Sequence, residues 1–188
     1  MTENKRSALI AKALPLFYRN GFHATGMDLV AKETGVSKTS IYKHFRSKEE
    51  LILAVLRLRD EQFRNWLVRR MEALGTGPEE QLIAMFDALG EWFRETRFQG
   101  CMFVKAAAEY QERTDAINRQ AWQHKELLID HLTGLCRAAT LAEPEAMARK
   151  LLLLKEGAII LAAMSHDDAP AQEAKAMAEA LLKGAQRS

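Results

Sequence analysis

Seven side chains that can bind an anion or a base edge lie close together in the first quarter of the chain. They are three lysines, two aliphatic hydroxyls, a phenol and an imidazole: Lys38, Thr39, Ser40, Tyr42, Lys43, His44 and Lys48. Such groups donate hydrogen bonds to phosphate oxygens, and hydroxyls and amines also bond to base edges. Residues 1–50 hold nine Lys/Arg against five Asp/Glu, while the remainder holds eighteen against twenty. Residue types and charge distribution therefore predict that this segment binds a nucleic acid.

A short Gly-Val-Ser turn must position these side chains. Gly35 can adopt the left-handed conformation that a tight turn needs, and Ser37 can cap the helix that follows. Val36 is spaced to form a hydrophobic staple with Ile41. Ile41 and Phe45 are four residues apart and would anchor the helix on its inner face. Two short helices about such a turn form the helix-turn-helix plan, in which the second helix enters the major groove.

Apolar residues recur at helical spacing along nearly the whole chain, without a convincing strand pattern. A first helix is predicted over residues 4–20, with a bend at Pro15 because proline removes a backbone hydrogen bond. A second begins after Thr25, whose hydroxyl is expected to cap its first turn. A capping box beginning at Ser47 opens a longer fourth helix, which ends near Ala73. Further helices are predicted at residues 79–96, 101–112, 115–138, 144–165 and 171–185.

Residues 22–51, FHATGMDLVAKETGVSKTSIYKHFRSKEEL, resemble the DNA-binding signature of the TetR/AcrR family of transcriptional regulators nearly position for position. The matching features are Gly35-Val36-Ser37, Ile41-Tyr42, His44-Phe45, Lys48 and Glu50-Leu51. The resemblance implies an all-α protein with an N-terminal three-helix DNA-binding head and a C-terminal helical body for ligand binding and dimerisation, about nine helices in total. The expected boundaries are residues 1–47 for the head and 48–188 for the body.

The family pattern also assigns roles within the head. It makes Lys38, Thr39, Ser40 and Lys43 the candidates for base contacts, and Tyr42, His44 and Lys48 the candidates for phosphate contacts. The first three residues of a recognition helix are the best placed to enter the groove. Ser40 and Lys43 are left with two interpretations, as base contacts or as bystanders.

The last two helices carry an apolar stripe with many small residues, which would let helices approach closely. Its members are Leu151, Leu154, Ala158, Ile159, Ala162, Ala163, Ala174, Met177, Ala178, Leu181 and Leu182. The stripe predicts a homodimer through these helices, since two heads on successive major grooves require symmetry. The alternative is that the stripe packs wholly within one chain.

Aromatic residues of the middle helices are candidates for lining an effector pocket. Together with one leucine and one thiol, the candidates are Phe86, Leu89, Trp92, Phe93, Cys101, Phe103, Tyr110 and Trp122. Ordinary core packing is the alternative, because such residues at helical spacing commonly form a core. The pattern specifies no ligand beyond a preference for apolar or aromatic groups.

Cys101 has one specific interpretation. It precedes a predicted helix, and Lys105 follows one turn later, so a helix dipole and an ammonium would both favour the thiolate. The segment GCMFVKAAAEY also resembles one found in some TetR-like regulators that sense electrophiles or oxidants. Cys101 and Lys105 are therefore a candidate redox or electrophile sensor, and a buried structural cysteine is the alternative.

Several classes of protein are not expected. The sequence has no nucleophile elbow, phosphate-binding glycine-rich loop or zinc-ligand spacing, so neither an enzyme nor a metal or cofactor site is predicted. Its apolar runs, such as Leu151–Leu154, are too short to span a bilayer, and no export signal is found, so a cytoplasmic location is expected.

These features predict a ligand-responsive regulator. It would act as a repressor that binds a pseudo-palindromic double-stranded operator as a homodimer and is released by a small-molecule effector or by thiol modification. One alternative is a helical small-molecule-binding protein or enzyme with an incidental basic head, and another is a non-specific DNA-coating protein. The operator, the regulated genes, the effector and the sign of regulation are not specified by these residues.

Overall fold

The computed structural model describes residues 2–185, with side chains from Lys5 onward. Within that range every regular element is a helix, which confirms the predicted all-α class and the number of helices. The helices are α1 Thr2–Asn20, α2 Met27–Thr34, α3 Lys38–His44, α4 Lys48–Leu74, α5 Pro78–Phe93, α6 Met102–Glu109, α7 Ala116–Ala138, α8 Pro144–Ser165 and α9 Ala169–Lys183.

Two helices, α5 and α6, end three residues earlier than their apolar pattern predicts. α5 stops at Phe93 because the chain tightens into a turn, in which the Glu95 amide donates to the carbonyl of Trp92 three residues back. α6 stops at Glu109 although the pattern suggested three further residues. α1 continues through Pro15 as one helix.

Of the two helix caps predicted in the head, one is present in the structure and one is not. The Ser37 hydroxyl accepts from the Ser40 amide at 3.2 Å, which confirms the predicted cap of α3. The predicted cap of α2 by Thr25 is wrong, since Gly26 occupies the cap position without a side-chain bond. The Thr25 hydroxyl instead donates to the carbonyl of Gly21 at 2.6 Å, because that carbonyl follows the end of α1 and needs a donor.

The chain forms two compact units. Unit 1 contains the described residues up to Gln62 together with Met102–His124, and unit 2 contains Phe63–Cys101 and the described residues from Lys125 onward. The division therefore passes through α4 and α7 and differs from the expected boundary between residues 47 and 48. Helix α6, which lies in the expected body, belongs to the same compact unit as the head.

The core of unit 1 is aromatic and aliphatic, and it also holds the buried polar pair of His124 and Asp60. Phe17 and Phe22 are fully buried, and their rings stack with centroids 5.7 Å apart. His124 Nδ1 lies 2.7 Å from a carboxylate oxygen of Asp60, and the Phe103 ring stacks on the imidazole at 3.7 Å. Because both polar residues are buried, each satisfies the other in place of water.

Unit 2 is built on the packing of α5, α8 and α9. Small residues such as Ala158 and Ala162 on α8 and Ala178 on α9 let these two helices approach each other. The members of the predicted stripe that are at most 6% exposed are Leu151, Ala158, Ile159, Ala162, Ala174, Ala178 and Leu182. Most of the stripe predicted to form the dimer interface is therefore buried within one chain, while its member Met177 remains 56% exposed. In the described part of the chain, no helix is both long and apolar enough to cross a membrane.

Candidate nucleic-acid interface

Helix α3 is held against the head by two inward side chains. Ile41 is fully buried and Phe45, directly after the helix, is 1% exposed. The guanidinium of Arg6 lies 4.6 Å from the centre of the Phe45 ring and covers it. Gly35 ends α2 with φ of 69°, the left-handed conformation expected at this turn. The turn and these anchors determine which side of α3 faces outward.

Four of the predicted DNA-binding residues form the outer face of α3. Lys38, Thr39, Tyr42 and Lys43 are all exposed, and their spacing places them on one side of the helix. Tyr42 is 44% exposed, so its phenol is open to a binding partner. Two ammoniums, a hydroxyl and a phenol on one helix face can donate to both base edges and phosphates.

Lys38 is already paired in the free protein. Its ammonium lies 2.9 and 3.1 Å from the two carboxylate oxygens of Asp28 on α2. The hydrogen bond and the charge of that carboxylate raise the pKa of Lys38 above its usual value. Asp28 is largely exposed, so the pair is open to water and a phosphate can compete for the ammonium.

Ser40, His44 and Lys48 are placed differently from the outer face. Ser40 is half-buried and its hydroxyl accepts from that of Ser37 at 2.8 Å, so it serves the turn as well as the surface. His44 is also half-buried. The Lys48 ammonium donates to the carbonyl of His23 at 3.2 Å, between α1 and α2. An ammonium has two further donors for a phosphate.

A groove between α1 and α3 extends the basic surface, and the sequence had not indicated it. It is lined by Lys5, Ala8, Leu9, Lys12, Gly35, Val36, Ser37, Ser40, Lys43 and His44. The Lys12 ammonium donates to the carbonyl of Thr34 at 2.9 Å. This bond stabilises the last turn of α2, because carbonyls at a helix end lack partners within the helix. The spacing of Lys5 and Lys12, two turns of α1 apart, was the available signal that both would face this groove.

The candidate pocket residues separate into the two units. Phe86, Leu89, Trp92, Phe93 and Cys101 are buried in unit 2. In unit 1, Phe103 is buried against His124, as described above. Trp122 is 56% exposed, and the Tyr110 ring packs at 4.8 Å on the imidazole of His23. The last two therefore have surroundings other than the enclosed apolar lining expected of them.

The expected neighbour of Cys101 is also corrected. The Lys105 ammonium donates to the Tyr18 carbonyl at 3.0 Å, because α6 packs on the end of α1. The ammonium that donates to Cys101 Sγ is that of Lys125, at 3.3 Å. Lys125 lies on α7, 24 residues further along the chain, so no local pattern could have paired it with this thiol.

Lys125 belongs to a buried group of charges in unit 2. A Glu156 carboxylate oxygen lies 2.7 Å from the Lys125 ammonium, and the other lies 2.8 Å from that of Lys155. Lys155 is fully buried and its ammonium lies 5.3 Å from the centre of the Phe63 ring. Burial lowers the pKa of Lys155 despite the neighbouring carboxylate. Among the residues with described side chains, no group of three or more His, Cys, Asp or Glu could hold a metal ion.

Comparison with known proteins gives one match to a family model and several curated relatives. Residues 9–55 match the family model for bacterial regulatory proteins, tetR family. The HTH-type transcriptional regulator YjdC of Escherichia coli (strain K12) is 24% identical over 179 residues, which cover 95% of this chain and 94% of YjdC. The HTH-type transcriptional activator FasR of Mycolicibacterium smegmatis is 48% identical over 54 residues, which cover 29% of this chain and 25% of FasR.

Similarity in fold extends beyond the head. The crystal structure of a TetR-family transcriptional regulator from Streptomyces coelicolor superimposes with a TM-score of 0.87 and 26% identity. The superposition covers 95% of this chain and 94% of that one. The higher identity to FasR thus lies in the short segment it shares with this chain, while the helical architecture matches over nearly the whole length.

Proposed function

We propose that this chain, a member of the TetR family of bacterial regulators, is a ligand-responsive repressor that binds a pseudo-palindromic operator as a homodimer. The observation that carries the proposal is the outer face of α3, where Lys38, Thr39, Tyr42 and Lys43 are exposed together on a helix-turn-helix. Binding would take place in the cytoplasm, where the operator DNA is found.

Within the head, the proposed roles follow from placement. Lys38 and Thr39 open α3 and point into the major groove, where they contact bases. Tyr42, His44 and Lys48 contact phosphates, and Lys48 does so beside the amino end of α4, whose dipole favours an anion. Ser40 and Lys43 lie at the edge towards the basic groove, so their contacts are shared between bases and backbone.

The homodimer is proposed on an exposed apolar face of α8. Leu153, Ile160, Leu161 and Met164 are 73%, 43%, 54% and 75% exposed, and they follow helical spacing along one side of the helix. Met177 on α9 is 56% exposed and adds to the apolar surface of the last two helices. A contiguous apolar surface of this kind favours association with a second copy, whose identical face would bury it.

Release of the operator is proposed to come from the body. An effector would bind among the buried aromatic residues of unit 2, where the Trp92 ring packs on Phe63 at 4.9 Å and on Phe98 at 4.8 Å. Modification of Cys101 is the second proposed route, supported by the Lys125 ammonium beside its sulfur. Cys136 serves as the matched control, because burial raises the pKa of that thiol to about 11.

One selection experiment tests the function. Random-sequence duplexes are enriched on the full chain, and a pseudo-palindrome with half-sites about one helical turn apart is expected. Thr39→Ala should relax base preference, whereas Lys48→Ala should weaken binding to all duplexes and lower the salt dependence by about one ion. Failure to enrich any motif would refute the proposal. Binding to all duplexes alike would point to a DNA-coating protein instead.

The two routes of release are separated on the enriched duplex. If Cys101 is a sensor, a thiol-modifying reagent releases the wild-type chain and Cys136→Ser, while Cys101→Ser stays bound. Equal sensitivity of all three would exclude the thiol route. A fusion of the operator to a reporter promoter then shows the sign of regulation, and increased expression on loss of the protein is the result expected of a repressor.

A further inference from the structure

Helix α6 is joined to the turn between α1 and α2 by one carboxylate. Glu109, the last residue of α6, accepts from the Phe22 amide at 2.9 Å with Oε1 and at 3.0 Å with Oε2. Its Oε2 also accepts from the His23 amide at 2.5 Å. The partners are 86 and 87 residues apart in sequence. Hydrogen bonds to an ionised carboxylate are about twice as strong as neutral ones.

The turn is shaped to receive that carboxylate. Gly21 has φ of 81°, and the two amides that follow it point to one side and form a concave anion site. A Cβ added at Gly21 would lie 2.8 Å from Glu109 Oε1, so the oxygen occupies the space that a side chain would fill. The site is therefore occupied by a residue of the protein itself.

A second link lies one turn earlier on α6. The Lys105 ammonium donates to the Tyr18 carbonyl at 3.0 Å and lies 5.2 Å from the centre of the Tyr18 ring. This carbonyl is in the last turn of α1, where carbonyls lack helical partners and favour a cation. Helix α6 thus contacts the carbonyl end of α1 through the Lys105 ammonium. It contacts the two backbone amides after α1 through the Glu109 carboxylate.

The same turn reaches the proposed DNA surface. The His23 amide donates to Glu109, while the His23 carbonyl accepts from Lys48, the proposed phosphate contact. One peptide segment therefore lies between the end of α6 and Lys48. A shift of α6 that withdraws Glu109 would leave two amides without their acceptor and free the turn to move, which displaces the carbonyl that holds Lys48.

We propose that Glu109 is a positioning residue that couples the conformation of α6 to Lys48 and the DNA-binding surface through the Phe22–His23 backbone. The inference rests on the proposed function and names the contact by which operator affinity is regulated. Coupling between two sites is reciprocal, so operator binding must stabilise α6 by the same factor as α6 stabilises operator binding. The coupling is thus measurable without knowledge of the effector.

The test is hydrogen exchange on the full chain, with and without the duplex that the wild-type chain enriches. The reporter is the end of α6, where the Tyr110 amide donates to the carbonyl of Ala106 at 2.9 Å. In the wild-type chain, DNA is expected to slow exchange at residues 106–110 at least about fivefold, the lower end of typical coupling. In Glu109→Gln and Glu109→Asp the slowing is expected to fall below about twofold, while α3 remains protected by DNA.

The variants separate geometry from charge. Glu109→Gln removes a negative charge near the DNA, whereas Glu109→Asp retains the charge and shortens the side chain. If the DNA-dependent slowing is lost in both variants, the coupling depends on the contact of Glu109 with the Phe22 and His23 amides and not on its charge alone. Glu112→Gln is the control, because it removes an exposed acid just beyond α6. If Glu109 has only a structural role, its replacement will lower the melting temperature but leave the DNA-dependent slowing of exchange as in wild type. That result would overturn the coupling. If the wild-type chain binds no duplex, the proposed function fails and the coupling fails with it.

Discussion

Replacement of Glu156 by glutamine should destabilise unit 2 by about 3 kcal/mol at neutral pH. The side chain is 17% exposed and lies between the ammoniums of Lys125 and Lys155. Burial alone would raise the pKa of its carboxyl group, but the two ammoniums outweigh burial and lower the pKa from 4.5 to about 2. At about 1.4 kcal/mol per unit, that difference corresponds to about 3 kcal/mol of folding free energy. In Glu156→Gln, two buried cations would also be left without a counter-charge.

The pH dependence has a definite sign. Because the carboxyl pKa is lower in the folded chain, its contribution is complete above the unfolded value of about 4.5 and is lost as the pH falls towards about 2. The measurement is urea unfolding followed by circular dichroism. As the pH falls across this window, the free energy of unfolding of wild type should decrease by about 3 kcal/mol more than that of Glu156→Gln.

The control for this prediction is Glu145→Gln. That carboxylate pairs with Arg137 at the surface, so its removal should change stability by less than about 1 kcal/mol. A loss below about 1 kcal/mol in Glu156→Gln at pH 7 would refute the reasoning. It would mean that the two lysines relax into water and that the buried charges are not held as the structure shows.

Three further predictions concern the surfaces of the protein and the start of α3. Met164→Glu should raise the dissociation constant of the proposed dimer at least about 100-fold in sedimentation equilibrium, because the proposed symmetric interface would lose two buried methionines at ~1.5–3 kcal/mol each. Thr96→Glu, which adds a charge at another exposed position, should leave that constant unchanged. Asp28→Asn should tighten binding to any duplex about three- to tenfold at low salt, since it frees the Lys38 ammonium and removes a negative charge from the interface; an effect no larger than that of Glu33→Gln in fluorescence anisotropy would contradict this. Ser37→Ala should cost about 1 kcal/mol of head stability in thermal unfolding through loss of the α3 cap, whereas Ser7→Ala, which lies on the exposed side of α1, should be neutral.

The sequence was sufficient to identify the helix-turn-helix because its determinants are local. Gly35 and Ser37 specify the turn and the cap within a few residues, and Ile41 and Phe45 specify the buried side of α3 by spacing alone. Helix ends were predicted within a few residues for the same reason, since caps and breaking residues act on their immediate neighbours. The exception at Thr25 arose because the Gly21 carbonyl, four residues earlier, competed for its hydroxyl.

Pairings between distant helices required the tertiary structure. The sequence placed Lys105 beside Cys101, but packing brings Lys125 there and directs Lys105 to α1. It could not place Glu109 on the Phe22 amide, since 87 residues separate them. Apolar spacing likewise showed that α8 and α9 are amphipathic but not which apolar side faces its own chain.

The sequence by itself determined that this protein is all-α and carries a head whose exposed helix can contact DNA, because spacing, caps and turns are short-range properties of the chain. Only the tertiary structure decided that α6 is clamped to that head, that Glu156 lies between two lysines, and that Leu153 and Met164 remain exposed. Each of these depends on how helices distant in sequence pack, and side-chain periodicity identifies a buried face without naming its partner.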